Sequence, residues 1–95
     1  MATQTVPKIY KYKLSMAAKQ TIKMPKGAKI ISIENQCEDI CLWAVVNPTE
    51  AEIDHRSFRI IGTGEAISED CNLMFLKSIV MAKGMYVWHI WEELP

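Results

Sequence analysis

The sequence predicts an all-β fold, a small antiparallel sandwich or barrel of six to seven short strands. Three observations carry that expectation. Apolar and polar residues alternate with a period of two in several short runs. β-Branched and aromatic residues fill those runs. Glycine, proline, asparagine and aspartate fall between them. The 95 residues make one domain, 1–95, with a polar lead-in at 1–7 and a tail at 93–95. A domain of this size buries only roughly 60–65% of the surface its unfolded chain exposes, so its core is thin.

Pro7 closes the lead-in. Lys8 to Leu14 sets Tyr10, Tyr12 and Leu14 on one face of a strand and Ile9, Lys11 and Lys13 on the other. Such a mixture suits an edge strand, where lysines discourage stray pairing. Ser15 to Lys19 has helix-friendly composition but is too short for a stable helix, and reads as a turn. Gln20 to Met24 alternates again, and Pro25-Lys26-Gly27 breaks it. Ala28 to Asn35 is the next strand, with Lys29, Ile31 and Ile33 on one face and Ala28, Ile30 and Ser32 on the other. After a polar turn, Ile40 to Val46 is apolar throughout, the pattern of a strand covered on both faces. One of those faces covers the core; the other must meet a subunit, a bent sheet or a ligand.

Asn47-Pro48 opens a loop, and Thr49 to Asp54 reads as an acidic, solvent-exposed stretch with room for one helical turn. His55-Arg56 lead into a central strand, Ser57 to Ile61, which runs into Gly62-Thr63-Gly64. Glu65 to Asn72 is a second acidic connection. Leu73 to Met81 is another strand, and Ala82-Lys83-Gly84 a hairpin turn in which glycine supplies the positive φ. The returning strand places Met85, Val87, His89 and Trp91 on one face and Tyr86, Trp88 and Ile90 on the other. Neither is a solvent face. Three Trp, three Tyr, two Phe and six Met exceed what one thin core absorbs. That surplus predicts a homo-oligomer, a dimer or tetramer.

Composition excludes several classes. Eleven basic and eleven acidic side chains cancel, which argues against duplex DNA binding by bulk charge. No apolar run approaches the ~20 residues of a membrane helix. Three cysteines and no signal-peptide pattern point to a reducing cytoplasm. Cys37 and Cys41 lack both zinc-knuckle spacing and a second ligand pair, so no metal and no cofactor are expected. Asp54, His55 and Ser57 lie in one extended run and form no triad. His89 reads as a packed, satisfied histidine. Glu50/Glu52 and Glu92/Glu93 fall in polar loops or the tail, where solvation is the default. No catalytic constellation emerges, so the chain reads as a non-enzyme.

One stretch stands out as a candidate site. Arg59 precedes Gly62-Thr63-Gly64, so backbone amides, a hydroxyl and a guanidinium converge there. That suits an anion-binding turn and suits a hairpin corner equally well. The run Ile9-Tyr10-Lys11-Tyr12, then Ile22 to Ile30, then Cys41-Leu42-Trp43-Ala44, then Arg56-x-Phe58-x-Ile60-x-Gly62-Thr63-Gly64, then Val87-Trp88-His89-Ile90 resembles a widespread family of small phage and prophage proteins. That family is similar to the sponges that capture nucleotide signals of CBASS-type anti-phage defence. The chain departs from the family at Glu65-Ala66, where the family carries His-Pro, so any role of that histidine does not transfer. The resemblance implies a phage immune-evasion protein in the host cytoplasm. Such a protein would bind a cyclic oligonucleotide or related second messenger without cleaving it. Tyr10, Trp43 or Trp88 would stack a base, Arg56 and Arg59 would hold phosphate, and Gly62, Thr63 and Gly64 would admit backbone amides. The alternative is a protein-binding module, a host-enzyme inhibitor or a minor phage structural component. Its mark would be a flat apolar patch without converging basic groups.

Overall fold

A computed structural model describes residues 6–95. Residues 1–5 of the expected lead-in lie outside the described residues. Seven strands follow in order: β1 (Lys8–Leu14), β2 (Lys19–Pro25), β3 (Lys29–Gln36), β4 (Asp39–Val46), β5 (Ile53–Gly62), β6 (Leu73–Met81) and β7 (Tyr86–Glu93). All pairings are antiparallel, in two sheets ordered β1-β4-β3 and β2-β5-β7-β6. The all-β class is as expected, and of its two forms the molecule is the sandwich.

Period-two patterning explains the packing. Leu14, Ile33, Ile40, Leu42, Ala44 and Val46 of the three-stranded sheet face Met24, Phe58, Ile60, Ile79, Met81 and Ile90 of the four-stranded sheet in one core. Phe58 is fully buried at the centre of that layer. Truncating such a ring to alanine costs about 3–5 kcal/mol. The faces expected for β1 and β7 are those observed: Tyr12 packs on the core while Ile9 is exposed, and Ile90 is buried while His89 looks outward.

Two bulges change the reading elsewhere. Against β4 the register slips between Ile30 and Ser32; against β7 it slips between Phe75 and Lys77. The extra residues are Ile31 and Leu76. Ile31 was expected to share a face with Ile33. The bulge instead puts Ile30 and Ile33 on the core side and leaves Ile31 half exposed. β3 and β6 are edge strands of opposite sheets, and they approach each other along one flank.

The connections also depart from expectation in places. Thr49 to Asp54 holds no helical turn: Asn47 Oδ1 accepts the Thr49 N–H, and β5 begins at Ile53. Gln20 pins the β1–β2 turn by bonding Ser15 N–H, Ser15 C=O and Ala17 C=O. In the β6–β7 hairpin, Gly84 has the expected positive φ, but Ala82 and Lys83 share it, at φ 51° and 55°. Cys37 and Glu38 are likewise left-handed in the β3–β4 hairpin. Left-handed backbone costs about 1–2 kcal/mol per non-glycine residue. Side chains offset it here: Asn35 bonds Glu38 N–H and Val80 C=O, and Glu38 Oε2 accepts the Ala82 N–H. The two strained hairpins therefore brace each other. At the other end, β7 runs on to Glu93, so the expected tail shortens to its last two residues.

Candidate binding site

Two concavities lie near the residues singled out by the sequence. The larger, about 580 Å³, opens on the flank between β3 and β6. Both bulged residues belong to its neighbourhood: Ile31 and Leu76 line it, with Met74 beside them. Such a volume lies within the range of small-molecule pockets, about 300–1,000 Å³. Arg56 and Glu92 form its polar floor.

That floor follows from strand parity. Arg56 shares the inner face of β5 with Phe58 and Ile60, so its guanidinium enters the sandwich and needs an acid. Glu92, on the inner face of β7, supplies it. Arg56 Nε and Nη2 donate to the two Glu92 oxygens at 2.6 and 2.8 Å, and Nη1 donates to Ala28 C=O at 2.6 Å. The Glu92 hydrogen bond raises the Arg56 pKa above its usual value despite the burial that opposes it. Glu92 is 5% exposed, which corrects the expectation of a solvated tail carboxylate. At the mouth, Lys77 pairs with Glu34 across the flank at 3.2 Å, and Lys29 stands on the rim. No aromatic ring lines this cleft.

The smaller pocket, about 290 Å³, is built on the glycine turn and lined by Gly62, Thr63, Glu65, Met85, Tyr86, Val87 and Trp88. The turn closes with Glu65 N–H on Gly62 C=O at 3.0 Å. Gly62 N–H donates to Glu65 Oε1 at 3.1 Å. The anion held by the turn is thus the chain's own carboxylate. A Cβ on Gly62 would lie 2.5 Å from that oxygen and 3.0 Å from Trp88 Cζ3. Glycine is required here for close approach. Gly64, at φ 92°, is required for its backbone conformation. Tyr86 and Trp88 stack with ring centres 6.1 Å apart and planes 22° apart. On the opposite side of the sheet, Thr63 and Ser78 hydroxyls engage His89 Nε2 and Nδ1 at 2.9 and 2.8 Å, so the histidine is satisfied as expected.

Arg59 lies on the outer face of the four-stranded sheet. Its Nε donates to Glu93 at 3.3 Å and its Nη2 to Cys71 Sγ at 3.2 Å; Lys19 stands 3.7 Å from the same carboxylate. Burial pushes the Glu93 carboxyl up, but Lys19, Arg59 and the Cys71 hydrogen bond outweigh it and hold it below the usual range. Beside this cluster Phe75 packs edge-on to Trp91, with ring centres 5.1 Å apart. Trp91 buries its indole N–H there without a hydrogen-bond partner among the described residues. Leaving such a donor unpaired costs about 1–3 kcal/mol.

The sequence-derived site is therefore dispersed. Gly62, Thr63 and Trp88 meet in one pocket. Arg56 lies in the other concavity, and Arg59 lies on the far side of its sheet. Tyr10 and Trp43 belong to the three-stranded sheet, where Tyr10 pairs with Ala44 on edge strand β1 and Trp43 points outward opposite Lys11 and Ser32. Tyr10 and Trp43 thus lie on the three-stranded sheet and the glycine turn on the four-stranded one. The residues that sequence reasoning passed over are Glu65, Glu92 and Glu93. A usable signal was present: an arginine in phase with Phe58 and Ile60 demands a buried acid.

The fold defines a small antiparallel β-sandwich with two open concavities, and among the described residues no helix is long and apolar enough to cross a membrane. Residues 6–95 match the family model described as Domain of unknown function (DUF7352), and the chain belongs to that family. No curated protein and no solved structure matches it.

Proposed function

We propose that this chain is a protein-binding module that works without chemistry, as a homo-oligomer joined through the β6 edge. The observation that carries this reading is the state of the expected anion-binding groups. Arg56, Arg59 and the Gly62 amide each face a carboxylate of the same chain. No converging, unneutralised basic cluster is left at those positions for a phosphate.

The edges support the rest. β1 carries Lys8, Lys11 and Lys13; β2 carries Lys19, Lys23 and Pro25; β3 carries Lys29, Glu34 and a bulge. These features discourage strand addition. β6 has one charge in nine residues, and exposes Met74, Phe75 and Val80 at 42%, 50% and 57%. A second copy brings the same apolar edge, and two-fold pairing would continue the Phe75–Trp91 surface across the junction. Sedimentation or light scattering of the purified protein tests this. A dimer or tetramer that Phe75→Lys and Val80→Lys convert to monomer, with an unchanged fold, is the expected result. A wild-type monomer at high micromolar concentration sinks it.

A second reading, capture of a cyclic nucleotide signal by a phage protein in the host cytoplasm, is favoured by the β3–β6 cleft. Its volume, the Lys29 and Lys77 rim and the Arg56 floor suit a small polar ligand. It offers no ring for base stacking. Calorimetry with cyclic dinucleotides separates the two readings. Release of intact ligand on heating, and loss of binding in Lys29→Glu and Lys77→Glu, would favour capture.

A further inference from the structure

We propose that the pocket at the glycine turn binds the guanidinium or ammonium group of an arginine or lysine side chain on a protein partner. This rests on reading the chain as a protein-binding module. The chemistry of the lining is opposite in sign to what a glycine-rich turn is expected to hold. Among the described residues, Glu65 is the only charged one in the pocket's lining. Its Oε1 is fixed by the Gly62 amide at 3.1 Å, and Oε2 has no hydrogen bond or ion pair among the described residues. This one hydrogen bond orients an otherwise exposed carboxylate and lowers the entropy cost of ordering it on binding.

The rest of the lining suits a cation's other face. Oε1 and Trp88 Cζ3 lie within 3.0 Å of the same point above Gly62, so carboxylate and indole are neighbours. Tyr86 stacks on Trp88 and is 54% exposed. A cation over an exposed aromatic face gains about 0.5–1 kcal/mol, and the exposed ring in this lining is Tyr86, the indole of Trp88 serving as its stacking partner. Met85, the most exposed large apolar residue described, at 76%, offers a polarisable thioether beside the aliphatic stem of such a side chain. The volume of about 290 Å³ accommodates one side-chain terminus. A phosphate would meet Glu65 first.

Glycine at position 62 belongs to the same design. Any side chain there would displace the carboxylate from the indole edge. The positions Gly62, Glu65, Tyr86 and Trp88 therefore act as one unit.

The test is an amide NMR titration of the intact protein with a five-residue peptide centred on arginine, its citrulline counterpart, free guanidinium ion and a cyclic dinucleotide. The arginine peptide is expected to shift the Gly62 amide and the Trp88 indole N–H, and citrulline is not. Glu65→Gln, which keeps an acceptor for Gly62, is expected to weaken the arginine peptide about tenfold, the scale of one charge-assisted hydrogen bond. Tyr86→Leu, at an exposed position, is expected to weaken it about threefold to fivefold. Equal shifts with citrulline, or no shift with arginine, overturn the proposal. Shifts from free guanidinium but none from the arginine peptide overturn the protein source, and shifts only from the dinucleotide overturn the sign of the site. Phe75→Lys leaves this pocket intact, so the failure of β6 association and the failure of cation binding are read separately.

Discussion

β5 and β7 exchange two arginine–glutamate pairs, one through each face of their sheet. The inner pair, Arg56–Glu92, is bidentate, with bonds of 2.6 and 2.8 Å and side chains 19% and 6% exposed. The outer pair, Arg59–Glu93, has a single 3.3 Å contact and shares its acid with Lys19. The residue types are identical, the strands are identical, and only the parity along the strand differs. Parity decides which carboxylate is taken out of water: Glu92 is 6% exposed and Glu93 23%, while the two guanidiniums are alike at 19% and 21%. Inside, each partner depends on the other, because an unpaired buried charge is costly. Outside, Glu93 keeps a second cation, Lys19, when Arg59 is removed, and its side chain is 23% exposed to solvent. The inner pair thus acts as a strut between the four-stranded sheet and Ala28 at the entry to β3, while the outer pair is one node of a surface network.

The largest expected effect follows from that asymmetry. Arg56→Met leaves Glu92 buried and alone, and is expected to lower unfolding stability by about 3–5 kcal/mol in urea titrations. Adding Glu92→Met should recover most of the loss, since two apolar residues of similar volume need no partner. Arg56→Lys should lie between the two, because an ammonium keeps the charge but not the fork. An Arg56→Met variant no less stable than Arg59→Met would break the comparison.

This asymmetry also marks where the sequence was legible. The alternation of β1 and β7 gave the two faces observed for each, because parity there is local to the strand. Ile31 and Leu76 were not legible, because a bulge is set by the partner strand and shifts parity without a composition signal. The site was legible in its parts only. Arg56, Arg59 and Gly62 were found as groups able to meet an anion. Their partners were not, since pairing Glu92 with Arg56 needs the β5–β7 register, and Glu65 needs the path of the turn. Glu92 and Glu93 read as a solvated tail because nothing local shows that the strand continues through them.

Gly62 offers an intermediate case, a donor–carboxylate contact that is only part-buried. Gly62→Ala is expected to cost about 1–3 kcal/mol, the range for overpacking, because the new methyl meets Glu65 Oε1 at 2.5 Å and Trp88 at 3.0 Å. A Glu65→Ala background should relieve part of that cost and not all, since the indole edge remains. Full additivity in this double-mutant cycle would show that carboxylate and methyl do not compete for one space. Gly64→Ala is the control: its Cβ meets nothing, so its effect reports only the left-handed backbone.

The smallest effect belongs to the outer pair and is best read by pH. Arg59→Met should move the unfolding midpoint by a small fraction of the Arg56→Met shift. Glu93 titrates below 4.5 in the folded protein because Lys19, Arg59 and Cys71 outweigh its burial. Above 4.5 the carboxylate is ionised in both states, and its contribution to stability is fully present. As pH falls from 4.5 through the lower folded value, the unfolded chain takes up the proton first, and the contribution is lost. Glu93→Gln should therefore flatten this part of the melting-temperature profile, with variant and wild type converging in stronger acid. Arg59→Met should raise the Glu93 midpoint in a carboxyl NMR titration, because it removes one of the cations that lowers it. An unmoved midpoint would mean that Lys19 and Cys71 set the Glu93 charge without Arg59, and the outer pair would then be a contact of geometry without electrostatic coupling.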